Sequence, residues 1–188
     1  FMGLLLPSMV KAWTGNKIEL FRKRVKQTFD VFMIVIIPII IGAQAIGVDL
    51  ITFVAGGEYD ASGDVLKILV LALVGVFLGG LFGHLVVAIN KQRQMIWGYL
   101  LVALITIPGY IYFIPIHGMW GAAWMTVLSE SLIALFTFIM VYKNAKTLPG
   151  IMTFLKAVAS AIVMFYVIGL LPESHVLVVL SIGIIVYV

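Results

Sequence analysis

Cysteine is absent from this chain of 188 residues, and charged residues are scarce at 11%. Without cysteine, neither disulfide bonds nor thiolate metal sites can form within the sequence. A soluble domain carries about 25% charged residues, whereas this chain is 63% apolar and has a mean hydropathy of +1.21. So much apolar surface cannot be buried inside one globule of this size, and lipid must therefore be the solvent for most of it.

Motifs for catalysis and for cofactor binding are missing as well. The chain has no H-E-x-x-H, no G-x-S-x-G, no P-loop and no paired acidic motif, which argues against an enzyme and against a bound cofactor. His84 is predicted on the opposite side of the membrane from His117 and His175, so the three histidines do not form one metal site. The basic residues lie in short loops without a nucleic-acid motif, and no nucleic-acid partner is expected.

Five separated apolar stretches are long enough, or nearly so, to cross a bilayer, which takes about 20 residues. They cover residues 31–54, 66–89, 95–115, 119–142 and 154–171. Residues 1–9 are interpreted as the tail of an earlier helix, and residues 176–188 as a helix that is cut short. The sequence thus predicts an all-α, polytopic transmembrane helical bundle with five complete spans and two truncated ones, part of a longer protein.

The sign of the loop charges alternates with the crossings. Eleven of the twelve Lys and Arg residues fall in the connectors 10–30, 90–94 and 143–156. The other side of the predicted membrane carries Lys67 and the acidic residues Asp49, Glu58, Asp60, Asp64 and Glu173. The positive-inside rule then predicts that the loops near 10–30, 90–94 and 143–153 are cytoplasmic.

The basic connector 10–30 has helical periodicity. Apolar residues, among them Ile18, Phe21 and Val25, share one face, and basic residues fill the remaining surface. This pattern predicts an interfacial amphipathic helix whose basic face meets anionic head groups. The alternative is that the segment continues into the next span as one bent helix. Within that span Pro38 predicts a kink.

The second span contains Gly75, Gly79 and Gly83, which are spaced four apart and form a double G-x-x-x-G ridge. A ridge without side chains lets another helix approach closely, so these glycines are predicted to form a tight helix–helix contact. A transporter could also use such a smooth contact for sliding. In the third span, Pro108 and Pro115 predict a bend or an end of the helix.

Glu130 is the ionisable residue predicted nearest the middle of a span, about 11 residues or roughly 16 Å along its helix. It shares a ridge of small residues with Ala122, Thr126 and Ala134. Two interpretations stay open: a residue of the transport pathway or of ion coupling, or a glutamate that locks helices together. His84, near the cytoplasmic end of the second span, either lines the mouth of a pathway or forms an interhelical hydrogen bond.

A series of local strings runs in a fixed order through residues 5–142. They are Leu5-Leu6-Pro7-Ser8, Ile36-Ile37-Pro38, Phe53-Val54-Ala55-Gly56-Gly57-Glu58-Tyr59, Ala88-Ile89-Asn90-Lys91-Gln92-Arg93, Ile114-Pro115-Ile116-His117-Gly118, Gly121-Ala122-Ala123-Trp124 and Ser129-Glu130. In this order and spacing, the chain resembles the C-terminal half of the bacterial polysaccharide flippases. These are the O-antigen and teichoic-acid export proteins of the multidrug/oligosaccharidyl-lipid/polysaccharide exporter superfamily.

The resemblance implies the C-terminal lobe of a two-lobe transporter that works by alternating access. Residues 31–142 would be its four-helix membrane core, the polysaccharide biosynthesis C-terminal region, and residues 143–188 a final helical pair. The implied cargo is an oligosaccharide on undecaprenyl-pyrophosphate, moved across the bacterial cytoplasmic membrane. Membrane lipid, this lipid-linked oligosaccharide and a polysaccharide polymerase are the implied partners.

Three other functions stay open at this point. One is a drug or metabolite exporter of the same superfamily, driven by Na⁺ or H⁺, and another is a membrane scaffold of a polymer-synthesis complex. An integral membrane glycosyltransferase would need a catalytic cluster, for which Glu58, Asp60 and Asp64 are the candidates. Their spacing near a helix start is more typical of solvated acids that cap a helix.

Overall fold

Helices make up nearly all of the computed structural model, which describes residues 2–146, 150–170 and 176–187. The α-helices are α1 (Met2–Thr14), α2 (Ile18–Ala55), α3 (Asp60–Leu69), α4 (Ala72–Ala88), α5 (Gln92–His117), α6 (Met119–Ala145), α7 (Ile151–Gly169) and α8 (Val176–Tyr187). A short 3-10 turn, Gly57–Tyr59, precedes α3. Glu173 and His175 lie outside the described residues.

The predicted fold class, an all-α membrane bundle, is confirmed. Within the described ranges no strand occurs, and five segments are long and apolar enough to cross a membrane. They are Ile18–Ala55, Gly57–Ala88, Gln92–His117, Met119–Ala145 and Met152–Gly169. Each corresponds to one of the five spans predicted from hydropathy.

The basic segment before the first span is not a helix of its own. α1 ends at Thr14, and α2 then runs without interruption through Pro38 to Ala55. The structure therefore has the alternative arrangement, in which the basic segment continues into the span. The 38 residues of α2 exceed the about 20 that crossing a bilayer takes, so this helix contains more residues than a single span needs.

The third span also continues further than its prolines suggest. α5 passes through Pro108 and Pro115 and ends at His117. Gly118 is the C-cap of this helix. Its φ of 56° lies in the left-handed region that glycine adopts without steric cost. The Gly118 N–H donates to the carbonyl of Ile114 at 2.7 Å, which closes the last turn before α6 begins.

The chain divides into two compact units. One comprises the described residues of 1–32 and 72–150, and it contains α1, the start of α2, α4, α5 and α6. The other comprises those of 33–71 and 151–188, and it contains the rest of α2 together with α3, α7 and α8. These boundaries differ from the segments 1–9, 10–30, 31–142 and 143–188, which stay predictions about what each stretch does.

Two turns of the first unit are built alike, with an asparagine in the left-handed conformation after the helix end. Asn16 has φ 55° and Asn90 has φ 58°. After α1, the Lys17 N–H donates to the carbonyl of Ala12 and the Asn16 N–H to that of Trp13. The Asn90-Lys91 turn after α4 repeats both bonds. This Schellman pattern satisfies helix-terminal carbonyls that would otherwise lack a donor.

The most extensive helix contact joins α4 to α6. A Cβ placed on Gly75 would lie 2.6 Å from the carbonyl carbon of Glu130, and the corresponding position on Gly79 lies 3.6 Å from the Ala134 nitrogen. Further along, the rings of Phe82 and Phe138 meet edge-on at 5.1 Å. Because the contacts advance in the same direction along both helices, α4 and α6 run parallel.

Gly75→Ala is expected to lower the melting temperature of the protein in detergent. Its new Cβ would meet backbone atoms of Glu130, so the helices must separate, at a cost of about 1–3 kcal/mol. That cost outweighs the gain of up to ~1 kcal/mol in helix propensity.

Gly80→Ala, in the same helix, is the matched control because nothing lies within 4 Å of its Cβ position. It should keep or raise the melting temperature. Equal thermal unfolding of the two variants would contradict a close contact at Gly75.

Candidate functional site

Glu130 lies where α4 approaches α6 most closely. Its backbone and Cβ contact Gly75, and the residue as a whole is half-buried. The absence of a side chain on Gly75 is what makes room for the glutamate at this level of the helix. The structure therefore places the acidic residue of the fourth span on the helix–helix contact, and its part in transport stays a prediction.

A short polar chain lies one helical turn before Glu130. The Thr126 hydroxyl donates to the Ala122 carbonyl at 2.9 Å, and the Tyr110 oxygen is 3.0 Å from the Thr126 hydroxyl oxygen. Since a threonine hydroxyl has a single proton, Tyr110 must be the donor in that second bond. The small-residue ridge of α6 thus packs against α4 at Glu130 and is hydrogen-bonded to α5 at Thr126.

His84 is not brought near Glu130. It follows Gly75 by nine positions on α4, which is roughly 13 Å along the axis. Its Nδ1 lies 2.7 Å from the carbonyl oxygen of Gly80, and because a carbonyl only accepts, Nδ1 carries the proton. The hydrogen bond found for His84 is thus within its own helix, and the two roles considered for this residue stay predictions.

The three ridge glycines do not face one partner. Gly75 and Gly79 contact α6, whereas the Cβ position of Gly83 lies 3.7 Å from the Tyr99 hydroxyl on α5. Residues spaced four apart on a helix with 3.6 residues per turn drift by about 40° at each step. By the third glycine, the ridge has rotated from α6 towards α5.

The second unit contains an apolar cavity of about 560 Å³, which is partly open to its surroundings. The described residues that line it come from α2, α3, α7, α8 and the residue after α3. They are Ile34, Val35, Pro38, Ile39, Gly42, Ala43, Ile46, Leu50, Leu66, Val70, Met164, Ile168, Gly183 and Tyr187. Among them, only Tyr187 brings a side-chain oxygen. The volume lies within the range of about 300–1,000 Å³ typical of ligand sites.

A tyrosine compensates for the proline beside this cavity. Pro38 has no N–H, so the carbonyl of Ile34, four residues earlier, loses its helical donor. The Tyr187 hydroxyl donates to that carbonyl at 2.8 Å. An unpaired carbonyl is costly in an apolar environment, and this bond from α8 therefore ties α8 to α2 at the proline.

Gln44 plays a similar part at the break between α3 and α4. The Leu71 N–H bonds to the carbonyl of Ile68, out of α-helical register. The Gln44 side-chain amide donates to the Lys67 carbonyl at 2.7 Å. A polar side chain on α2 thus supplies a donor where the neighbouring helix is interrupted.

The acidic residues at the start of α3 are held by hydrogen bonds. The Thr52 hydroxyl donates to Asp60 Oδ1 at 2.6 Å, and the Lys67 ammonium lies 3.1 Å from Asp64. The N-cap residue of α3 is Tyr59, and no side-chain capping bond forms there. The expected capping role of these acids is therefore replaced by a tie between the end of α2 and the start of α3.

No group of three residues that could ligate a metal comes together within residues 2–146, 150–170 and 176–187. His84 and His117 are separated along the chain by the whole of α5, and His175 is not among the described residues.

The fold is similar to that of a solved transporter. The chain matches the lipid II flippase MurJ in its inward closed conformation with a TM-score of 0.79 and 20% sequence identity. The match covers 97% of this chain and 41% of the flippase. No protein-family model matches the sequence, and no curated protein matches it.

The likeness confirms the flippase fold that the sequence resemblance implied. At 20% identity it is the fold that is shared. The chain spans about two-fifths of the length of the flippase it matches. It has the architecture of a multi-pass membrane protein, with five helices suited to crossing a bilayer in the part that the structure describes.

Tyr187→Phe is expected to destabilise the protein by about 1–2 kcal/mol, because it leaves the Ile34 carbonyl without a donor. In a Pro38→Ala background the helix regains its own N–H, and the same tyrosine change should cost much less. Urea unfolding in mixed micelles of the four proteins of this double-mutant cycle measures the difference.

Tyr166→Phe is the control, because that tyrosine is largely exposed on α7 and should tolerate loss of its hydroxyl. An equal cost of Tyr187→Phe with and without Pro38 would rule out the compensation.

Proposed function

We propose that this protein is a transporter that flips a lipid-linked oligosaccharide across the bacterial cytoplasmic membrane for the synthesis of cell-surface polysaccharide. The cargo is of the undecaprenyl-pyrophosphate-sugar type. The observation that carries the proposal is the fold, which is similar to that of a lipid II flippase over 97% of the chain at a TM-score of 0.79. The family resemblance of the strings in residues 5–142 independently points to the same class of cargo.

The apolar cavity in the second unit supports a lipid as cargo. Apart from the Tyr187 hydroxyl, the side chains described around it are hydrocarbon, methionine or glycine. A water-soluble substrate would lose its hydration there without gaining hydrogen bonds. A polyprenyl chain has no polar groups to desolvate, and it can move between the bilayer and this lining at little cost, because both are apolar.

Orientation and partners belong to the same proposal. The basic loops near 10–30, 90–94 and 143–153 face the cytoplasm, in accord with the positive-inside rule. Membrane lipid surrounds the helices, and a polysaccharide polymerase receives the cargo on the outer side. Glu130 is a pathway or coupling residue, and His84 lies near the cytoplasmic end of the pathway.

Complementation tests the function directly. In a bacterium depleted of its own polysaccharide flippase, expression of the protein should restore surface polymer and remove the backlog of lipid-linked precursor in the inner leaflet. Gly42→Leu should lower this restoration at least about tenfold, because the leucine fills the cavity that Gly42 lines. Gly169→Leu, in the same unit, is the control: this glycine is exposed, nothing lies within 4 Å of its Cβ position, and the variant should restore polymer normally.

No restoration by the well-expressed parent protein, together with ion-dependent drug efflux, would favour the exporter instead. Absence of both activities, with retained polymer assembly in a complex, would favour the scaffold. Full restoration by Gly42→Leu would reject a role of the cavity in transport.

Glu130→Gln separates the two roles that the sequence left open. As a coupling or pathway residue, Glu130 should be needed in its ionisable form, so the variant should fold normally and restore little polymer. As a lock between helices, it should matter first for the melting temperature. Glu19→Gln makes the same chemical change at an exposed position of α2 and should alter neither. Normal transport by Glu130→Gln would end its assignment as a pathway residue.

A further inference from the structure

A second cavity, of about 500 Å³, lies at the turn between α1 and α2 in the first unit. α1 contributes Ser8, Lys11 and Ala12, which share one helical face because they are three and four positions apart. The turn contributes Lys17, and α2 contributes Leu20 and Arg24, which are four positions apart. Two helix faces and the turn between them, with three cations in all, thus border the same space.

The turn that shapes this cavity is well fixed. Asn16 holds the left-handed conformation that ends α1, and the Schellman bonds described above close it. Behind the turn, the rings of Trp13 and Phe21 meet at 5.2 Å, and Met9, Phe21 and Val25 are fully buried. The cations are therefore presented by a packed helix pair.

The charges that face the cavity are of one sign. In the described part of the chain, Lys11, Lys17 and Arg24 form no ion pair, and no carboxylate is among the lining residues. Glu19, in the first turn of α2, is exposed and does not line the cavity. A cavity with this lining favours an anion, since one guanidinium and two ammonium groups can donate to phosphate oxygens.

We propose that this cavity binds the phosphodiester head group of an anionic phospholipid from the cytoplasmic leaflet. The apolar run of α1 ends at Val10 and Lys11 follows at once, so the cavity begins at the hydrocarbon boundary. From Ser8 to Gly15 it extends about 10 Å along the helix, compared with roughly 5–8 Å for a head-group layer.

The apolar side chains along the cavity decide between a lipid and a free phosphate ion. Ala12 and Leu20 line it together with the cations, and they offer a surface for the glycerol and the first methylenes of an acyl chain. A free phosphate ion has no apolar part that could contact these side chains. The site is independent of the cargo proposed above, because it concerns the resident lipid of the membrane.

Native mass spectrometry of the purified, delipidated full-length protein tests this site with phosphatidylglycerol, phosphatidylcholine and inorganic phosphate as probes. Wild type should bind one phosphatidylglycerol in preference to phosphatidylcholine. The triple variant Lys11→Gln, Lys17→Gln, Arg24→Gln should bind it at least about tenfold more weakly. The control triple variant Arg22→Gln, Lys23→Gln, Lys26→Gln removes the same charges from the same segment, outside the cavity, and should stay within about twofold of wild type.

Equal losses of phosphatidylglycerol affinity in the two triple variants would overturn the site and indicate that the lipid binds to a diffuse basic surface. Phosphatidylcholine binding as tight as that of phosphatidylglycerol would overturn recognition of an anion. Displacement of phosphatidylglycerol by low millimolar inorganic phosphate would overturn the lipid in favour of a soluble anion. Thermal unfolding of both triple variants without lipid shows whether the fold is intact, and binding is then compared between variants of equal stability.

Discussion

A backbone carbonyl or N–H group that faces hydrocarbon without a partner costs several kcal/mol, and much of this structure follows from that constraint. It makes the described chain helical almost throughout and decides how each interruption is repaired. Where Pro38 removes a donor, Tyr187 supplies one to Ile34. Where α3 ends before α4, the amide of Gln44 reaches the Lys67 carbonyl. Outside the predicted spans, where α1 and α4 end, the backbone is paired as well: Asn16 and Asn90 adopt left-handed conformations, and the N–H groups of these turns bond back to helix carbonyls. Polar side chains such as those of Tyr187 and Gln44 thus act mainly as hydrogen-bond donors to backbone carbonyls.

Helix association in lipid depends on close approach more than on hydrophobicity, because lipid tails are as apolar as the side chains. This explains why the contact between α4 and α6 is made by Gly75 and Gly79, where backbone atoms of one helix meet those of the other. It also explains the position of Glu130, because Gly75 has no side chain and so leaves room for the backbone and Cβ of the glutamate. Close packing and an ionisable group thus coincide at one crossing. In the second unit the helices instead leave an apolar cavity beside Pro38, and the two units thereby combine a tight contact with an open, lipid-like space.

Hydropathy sufficed to predict the five spans and the all-α class, because it depends on the solvent around each stretch and little on tertiary detail. The glycine spacing also indicated a close contact, but only the rotation of α4 decides that Gly83 meets α5 instead of α6. The continuity of α2 could not be decided from the sequence, since amphipathic and fully apolar helices join without any breaking residue. The hydrogen bond from Tyr187 to Ile34 joins residues 153 positions apart, and no local sequence pattern predicts it. The cavity likewise depends on how helices distant in sequence pack, whereas Pro38, its one local signal, predicted only a kink.

The nature of the cargo is central to the proposed function, and flipping by the reconstituted protein tests it most directly. The purified full-length protein is placed in liposomes that contain a fluorescent undecaprenyl-pyrophosphate oligosaccharide, and a membrane-impermeant quencher is added from outside. We expect the oligosaccharide label of the inner leaflet to become accessible to the quencher, whereas labelled phosphatidylcholine of the inner leaflet stays protected. Protection of the oligosaccharide label equal to that in protein-free liposomes, or equal exposure of both lipids, would contradict flipping of this cargo.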